Sequence, residues 1–114
     1  MGAFAAGQVV VLPFPFSDLT RNKFRPALLL ADVGRGDWIA CQITSNAFAD
    51  TRAIAISPAD FVTGGLQRQS DARPGKLFTA NETLFSDFAG ELQPQVLRHV
   101  RHAVVRLVEG ELLS

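Results

Sequence analysis

The sequence predicts a mainly β protein, a small and mostly antiparallel barrel or curled sheet of about five to six short strands with one C-terminal α-helix. Two observations carry that expectation. Short β-branched and apolar runs recur along most of the chain, punctuated by clusters of Pro, Gly and Asp. Over 94–108 the period then changes, and apolar residues recur at helical spacing.

The elements follow in order. Gln8–Phe14 (QVVVLPF) reads as a first strand, and Pro13-Phe14-Pro15-Phe16-Ser17-Asp18 opens a loop reaching Lys23. Ala27–Ala31 is a second strand, the glycine-rich turn Asp32–Asp37 follows, and Trp38–Thr44 returns as a third strand in a hairpin. Arg52–Ser57 alternates and forms a fourth, ended by Pro58, and Gly64-Gly65 turns the chain again. Leu66–Arg73 and Lys76–Ala80 are the fifth and sixth candidates, and Asn81 caps a short helical turn starting at Glu82.

In 94–108, Val96, Leu97, Val100, Ala103, Val104, Leu107 and Val108 form one side of a helix, opposite Arg98, His99, His102 and Arg106. Pro94 suits the first turn and Gly110 the stop.

Composition excludes several classes of function. The 114 residues suit a single domain spanning 1–114, and 47% hydrophobic with 19% charged residues is a globular composition. One cysteine, Cys41, allows no internal disulfide; it shares a strand face with Ile39 and Ile43 and is expected in the core. Two histidines and one cysteine at no metal spacing argue against structural zinc, so no cofactor or metal is expected. Neither a signal sequence nor a membrane-length apolar run stands out, which points to a cytoplasmic protein with no membrane partner. Formal net charge is zero, so any nucleic acid must be held by local charge; nine of the eleven cations are arginine.

One stretch stands apart. In Lys23-Phe24-Arg25-Pro26-Ala27-Leu28-Leu29-Leu30 a cation precedes a proline at the mouth of an apolar strand. The proline fixes its own backbone and biases Arg25 towards extended geometry, so the side chain is aimed.

Three stretches together resemble the MazF/PemK family of toxin endoribonucleases from type II toxin–antitoxin systems, in particular its PemK-like branch. They are Gly7–Asp18, then Arg25-Pro26-Ala27-Leu28-Leu29-Leu30 with Gln42-Ile43-Thr44-Ser45 a hairpin later, then Gly64-Gly65-Leu66 leading to Arg73-Pro74-Gly75-Lys76-Leu77-Phe78-Thr79. In order and spacing the likeness spans nearly the whole chain. It implies an SH3-like barrel of the MazF/Kid/CcdB type with a C-terminal helix, usually a homodimer. It further implies metal-independent cleavage of single-stranded RNA through 2′-hydroxyl attack, and a cognate antitoxin whose disordered segment covers the RNA groove.

Carried onto this sequence, the resemblance implies that Arg25 holds the phosphate in the transition state and that Thr44 acts at the end of the third strand. Ser45 adds a neighbouring hydroxyl and Arg73 a second cation. Several family members have an acidic residue close after the position of Arg73, where this chain has Gly75. Asp18 is the nearest substitute for that proton acceptor. The loop residues Phe16, Thr20, Arg21 and Lys23, and Lys76 further on, are the expected RNA contacts. Two other functions compete: a family member that binds RNA or antitoxin without cutting, suggested by Gly75, and a CcdB-like gyrase poison. The C-terminal sequence Glu109–Ser114 lacks the tryptophan of the gyrase-binding branch and disfavours the latter.

Overall fold

The computed structural model describes residues 4–14, 23–47 and 49–110. One antiparallel sheet dominates, built from β1 (Gln8–Pro13), β2 (Phe24–Gly34), β3 (Asp37–Thr44), β4 (Ile54–Ile56), β5 (Phe61–Gly64), β6 (Ser70–Asn81) and β7 (Asp87–Leu92). The strands lie in the order β4-β6-β3-β2-β1-β7-β5, and the chain then enters the helix α1 (Pro94–Val108).

Strands β1, β2 and β3 are apolar almost throughout because both of their faces are covered. Val9, Leu28, Cys41 and Ile43 meet Ala72, Leu92 and Val100 on one side. Val10, Leu12, Ala27, Leu29, Trp38 and Ala40 form a second cluster on the other. A strand covered on both faces reads as a continuous hydrophobic run, which explains Val9-Val10-Val11-Leu12 and Ala27–Leu30. The first cluster also gathers Ile56 from β4 and packs Phe61 of β5 against it, so the sheet curls its two edge strands towards one core.

The β2–β3 hairpin turns on Arg35-Gly36, with φ of 59° and 80°, the positive-φ pair that a tight two-residue hairpin loop demands. Val100 of α1 is fully buried, with Val96, Leu97 and Val104 packed beside it. Arg101 adds a clamp: its Nε and Nη2 donate to the Leu30 carbonyl at 3.0 and 2.6 Å.

The strand count is the main correction. Seven strands form among the described residues instead of five or six. The fifth and sixth candidates are one strand, β6, which bulges at Pro74-Gly75: Cys41 faces Leu77 while Ile43 faces Ala72. Strands β5 and β7 are additional. They touch closely enough that a side chain at Gly64 would clash with the Ala89 carbonyl, so glycine is required there. The fourth strand is shorter than expected, and the second begins at Phe24, which puts Arg25 inside it. The helix runs from Pro94 to Val108 as anticipated, and Asn81 caps the 3-10 turn at Glu82 by accepting from the Thr83 N–H at 3.0 Å.

Candidate functional site

Arg25 sits where the sheet opens. Its strand pairs with β1 as far as Phe24, Arg25 itself lying opposite Leu12. Pairing with β3 stops at Ala27↔Gln42, beside Pro26, which has no N–H to extend the ladder. Continuing that register by two residues brings Arg25 opposite Thr44, with the two strands no longer bonded. A recess of about 380 Å³ occupies the opening. Phe24, Arg25, Thr44 and Ser45 line it from the sheet, and Gln67, Arg68 and Ser70 from the approach to β6.

The chemistry of this lining is one-sided. Among the described residues it holds two guanidinium groups, three hydroxyls and one carboxamide, and no carboxylate or imidazole. Among the described residues neither Arg25 nor Arg68 has an ion-pair or side-chain hydrogen-bond partner. Two arginines that face hydroxyls and no acid make a receptor for an anion with several oxygens, such as a phosphodiester. Phe24 is 57% exposed at the rim.

The hydroxyls divide the work. Thr44 is buried, and its Oγ1 accepts from the Asn46 N–H at 3.1 Å and donates to the Asn46 carbonyl at 3.4 Å. That local bonding fixes the turn after β3 and leaves Thr44 less available to a ligand than expected. Ser45 is exposed at the same recess. Ser70 is buried, and its hydroxyl donates to the Arg68 carbonyl at 2.9 Å, which holds the backbone of that arginine.

Arg73 and Lys76 are placed elsewhere. They line a separate recess of about 400 Å³ with Asp50, Arg52 and Leu107, sharing no residue with the first. Arg73 Nε donates to Asp50 Oδ2 at 2.7 Å, and the Arg52 N–H donates to Asp50 Oδ1 at 2.9 Å. The guanidinium of Arg73, chiefly by that hydrogen bond, holds the Asp50 carboxyl below its ordinary range. Lys23 is exposed just before β2, its carbonyl accepting from the Phe14 N–H at 3.0 Å. Phe16, Asp18, Thr20 and Arg21 lie outside the described residues.

Three residues escaped the sequence reading. Gln67 and Arg68 belong to a polar run taken there for part of a strand; its lack of apolar partners is the signal that would have marked it as a rim. Gln42 is the third. It is 9% exposed, and its Oε1 is buried with no hydrogen-bond partner. Strand alternation puts Gln42 on the same face as Thr44 and, across the ladder, Ala27 and Arg25.

Cys41 is core, as expected. Burial pushes its thiol up to about 12, and its Sγ donates to the Arg73 carbonyl at 3.0 Å, which rules out thiolate chemistry near neutrality. Trp38 is a packing residue whose Nε1 donates to Glu82 Oε2 at 3.2 Å. No group of three or more His, Cys, Asp or Glu side chains that could hold a metal ion occurs among the described residues. No helix there is long and apolar enough to cross a membrane.

No family model matches the sequence, and no curated protein matches it. Solved structures do match in fold. An endoribonuclease from a mycobacterial species, in complex with its cognate antitoxin, is 18% identical with a TM-score of 0.71, covering 97% of this chain and 100% of that one. A MazE–MazF complex from Deinococcus radiodurans is 21% identical with a TM-score of 0.73 over 97% of this chain and 100% of that one. The Mycobacterium tuberculosis toxin MazF-mt6 is 14% identical, with a TM-score of 0.69 over 90% and 96%. The fold is thus that of the MazF endoribonucleases, which agrees with the architecture expected from the sequence.

Proposed function

We propose that the chain is a MazF-type toxin that cleaves single-stranded RNA at the Arg25 recess without a metal ion. The observation that carries this is the composition of that recess, Arg25 and Arg68 among hydroxyls with no acid among the described residues, on the fold of known endoribonucleases. In the reaction the 2′-oxygen of the substrate forms a bond to phosphorus, and the bond from phosphorus to the 5′-oxygen breaks. The products are a 2′,3′-cyclic phosphate and a free 5′-hydroxyl. Negative charge grows on the non-bridging oxygens as phosphorus becomes five-coordinate, and Arg25 meets it with its planar fork. Arg68 holds the same phosphate from the opposite wall, and the Ser45 hydroxyl from the wall of Arg25. Thr44 keeps the β3 end in place, and Phe24 offers a face for an adjoining base.

The described lining of the recess supplies no carboxylate or imidazole for proton transfer. Asp18 is our nominee for taking the 2′-proton, in place of the carboxylate missing at Gly75. Lys23, Phe16, Thr20 and Arg21 guide RNA towards the recess, and Arg73 and Lys76 are at most peripheral. A homodimer, neutralisation by a cognate antitoxin and action in the cytoplasm belong to the same proposal.

The lack of a carboxylate or imidazole among the described lining residues favours one alternative, a family member that binds RNA without cutting. Purified protein and Arg25→Ala, incubated with a long mixed-sequence RNA in excess EDTA, decide between them. Discrete cuts with cyclic or 3′-phosphate ends, absent in the variant, support the nuclease. Retained RNA that is bound but intact supports the binder.

A further inference from the structure

The Arg25 recess adjoins a smaller hollow of about 100 Å³, and Gln67 and Arg68 line both. Ile56, Pro58, Phe61 and Leu66 give the hollow apolar walls. Ile56 is buried in the core, and Phe61 and Leu66 pack against the same cluster, so these walls are fixed. The polar groups of the lining are held unequally. Ser57 is already engaged, its N–H and Oγ both donating to Asp60 Oδ2 at 2.7 and 3.1 Å. Gln69 is held by one end only: its Nε2 donates to the Ile56 carbonyl at 3.3 Å. A carbonyl oxygen can only accept, so that bond sets which end of the carboxamide is nitrogen. It leaves Gln69 Oε1, an acceptor with no partner among the described residues, as the free end.

We propose that this hollow takes a cytosine base of the RNA, next to the phosphate held by Arg25 and Arg68, with the exocyclic amine of the base donating to Gln69 Oε1. The assignment rests on the reading of the Arg25 recess as a phosphate site, but not on cleavage. Three features select the base. Arg68 lines both spaces, so a strand whose phosphate it holds has a neighbouring base beside the hollow. The hollow is well below the roughly 300–1,000 Å³ usual for a whole small ligand, and its apolar walls suit a single flat ring. The fixed acceptor then decides between the two one-ring bases. Cytosine brings an amine to it, whereas uracil brings O4 to the same place and sets two acceptors face to face. Adenine also carries an amine, but its fused rings need more room than the hollow offers. Gln69 is thus the specificity-determining residue, reading the edge of an unpaired base as single-stranded RNA allows.

The test reads binding, so it works whether or not the protein cuts. Short labelled oligomers of C, U or A carry 2′-fluoro sugars, which cannot attack the phosphate, and are titrated by fluorescence anisotropy against the full-length protein. The C oligomer is expected to bind about fivefold more tightly than the U oligomer, the scale of one hydrogen bond gained and one clash of acceptors avoided. The A oligomer should bind less tightly than C. In Gln69→Leu the ratio of C to U affinity should fall to about one, with the fold checked by circular dichroism. A second measurement uses wild type alone: an oligomer of pyrimidin-2-one, which is cytosine without its amine, should lose the advantage of C. Equal affinity for C and U in wild type, with binding still abolished by Arg25→Ala, overturns this proposal and leaves the phosphate site standing. A preference for C that survives in Gln69→Leu, or that pyrimidin-2-one retains, overturns it as well. Tighter binding of A than of C removes the one-ring assignment and with it the proposal. Binding of none of the oligomers overturns the proposal together with the reading of the Arg25 recess.

Discussion

The dipeptide Arg-Pro occurs twice in this chain, at Arg25-Pro26 and Arg73-Pro74, and the two copies meet opposite fates. Each proline interrupts the regular sheet: the β2–β3 ladder stops beside Pro26, and β6 bulges at Pro74. Around Arg25 the interruption opens a recess with a second arginine and, among the described residues, no carboxylate. Around Arg73 it brings the guanidinium within 2.7 Å of Asp50, while Pro74 itself is fully buried. The same local sequence therefore makes one cation available to a ligand and commits the other to the protein. What separates them is a single acid that arrives from a distant loop.

The largest expected effect comes from removing the available cation. Arg25→Ala should lower the RNA cleavage rate by about 10²–10³-fold, the usual cost of losing one preorganised charge stabiliser, with an unchanged melting temperature to within a few degrees. Arg25→Lys should remain impaired, because an ammonium cannot reproduce the two-oxygen fork. If Arg73→Ala proved the more damaging of the two in single-turnover cleavage, the assignment of roles would be reversed.

Next in size is Arg68→Ala. Loss of one phosphate contact should weaken RNA binding at low salt and make the slope of log affinity against log salt shallower by about 0.7, the value for one contact to a single strand. An unchanged slope would remove Arg68 from the interface.

How much of this was legible beforehand depends on whether the deciding partner is near in sequence. The helix was readable to its ends, because periodicity, Pro94 and Gly110 are all local. The hairpin of the second and third strands was also a local signal, whereas Arg25 and Thr44 were joined in one site by the family resemblance and not by any local pattern. Strand β7 (DFAGEL) was not legible: Asp, Gly and Glu are poor strand formers, and its pairing with β1 and β5 is what makes it extended. Nor could the bulge be read, since Pro74-Gly75 looks like a break until Cys41 and Ile43 are seen to hold both halves of β6. The pairing of Arg73 with Asp50, across 23 residues and a loop, has no sequence pattern at all.

Gln42 sharpens the contrast from the side of the available site. A buried carbonyl oxygen without a partner costs stability, so Gln42→Met, close in shape and apolar, should raise it by roughly 1 kcal/mol in urea denaturation. Cleavage should fall at the same time if that oxygen serves the substrate, the usual signature of a strained functional group. A variant that is more stable and fully active would make Gln42 a packing defect with no part in the site.

The smallest effect tests the committed arginine. Asp50 is half-buried and its carboxyl is held below the usual value of 3.8, first by the Arg73 hydrogen bond, against a smaller opposing cost of burial. A carboxyl whose folded value is depressed adds stability above its unfolded value and loses it as the pH falls through the folded one. At pH 7 the pair is thus fully formed, and Asp50→Asn should cost about 0.5–1 kcal/mol, the modest scale of a partly exposed ion pair. As the pH is lowered below 3.8, wild type should lose that advantage and the two melting temperatures should converge. The substitution also frees Arg73, leaving its guanidinium in the same electrostatic condition as that of Arg25. If anion affinity at the helix-side recess then rises in Asp50→Asn but not in Asp50→Asn/Arg73→Ala, the two Arg-Pro sites differ by one carboxylate and by nothing deeper in the fold. No rise would mean that the Pro74 bulge, and not Asp50, keeps Arg73 from ligands.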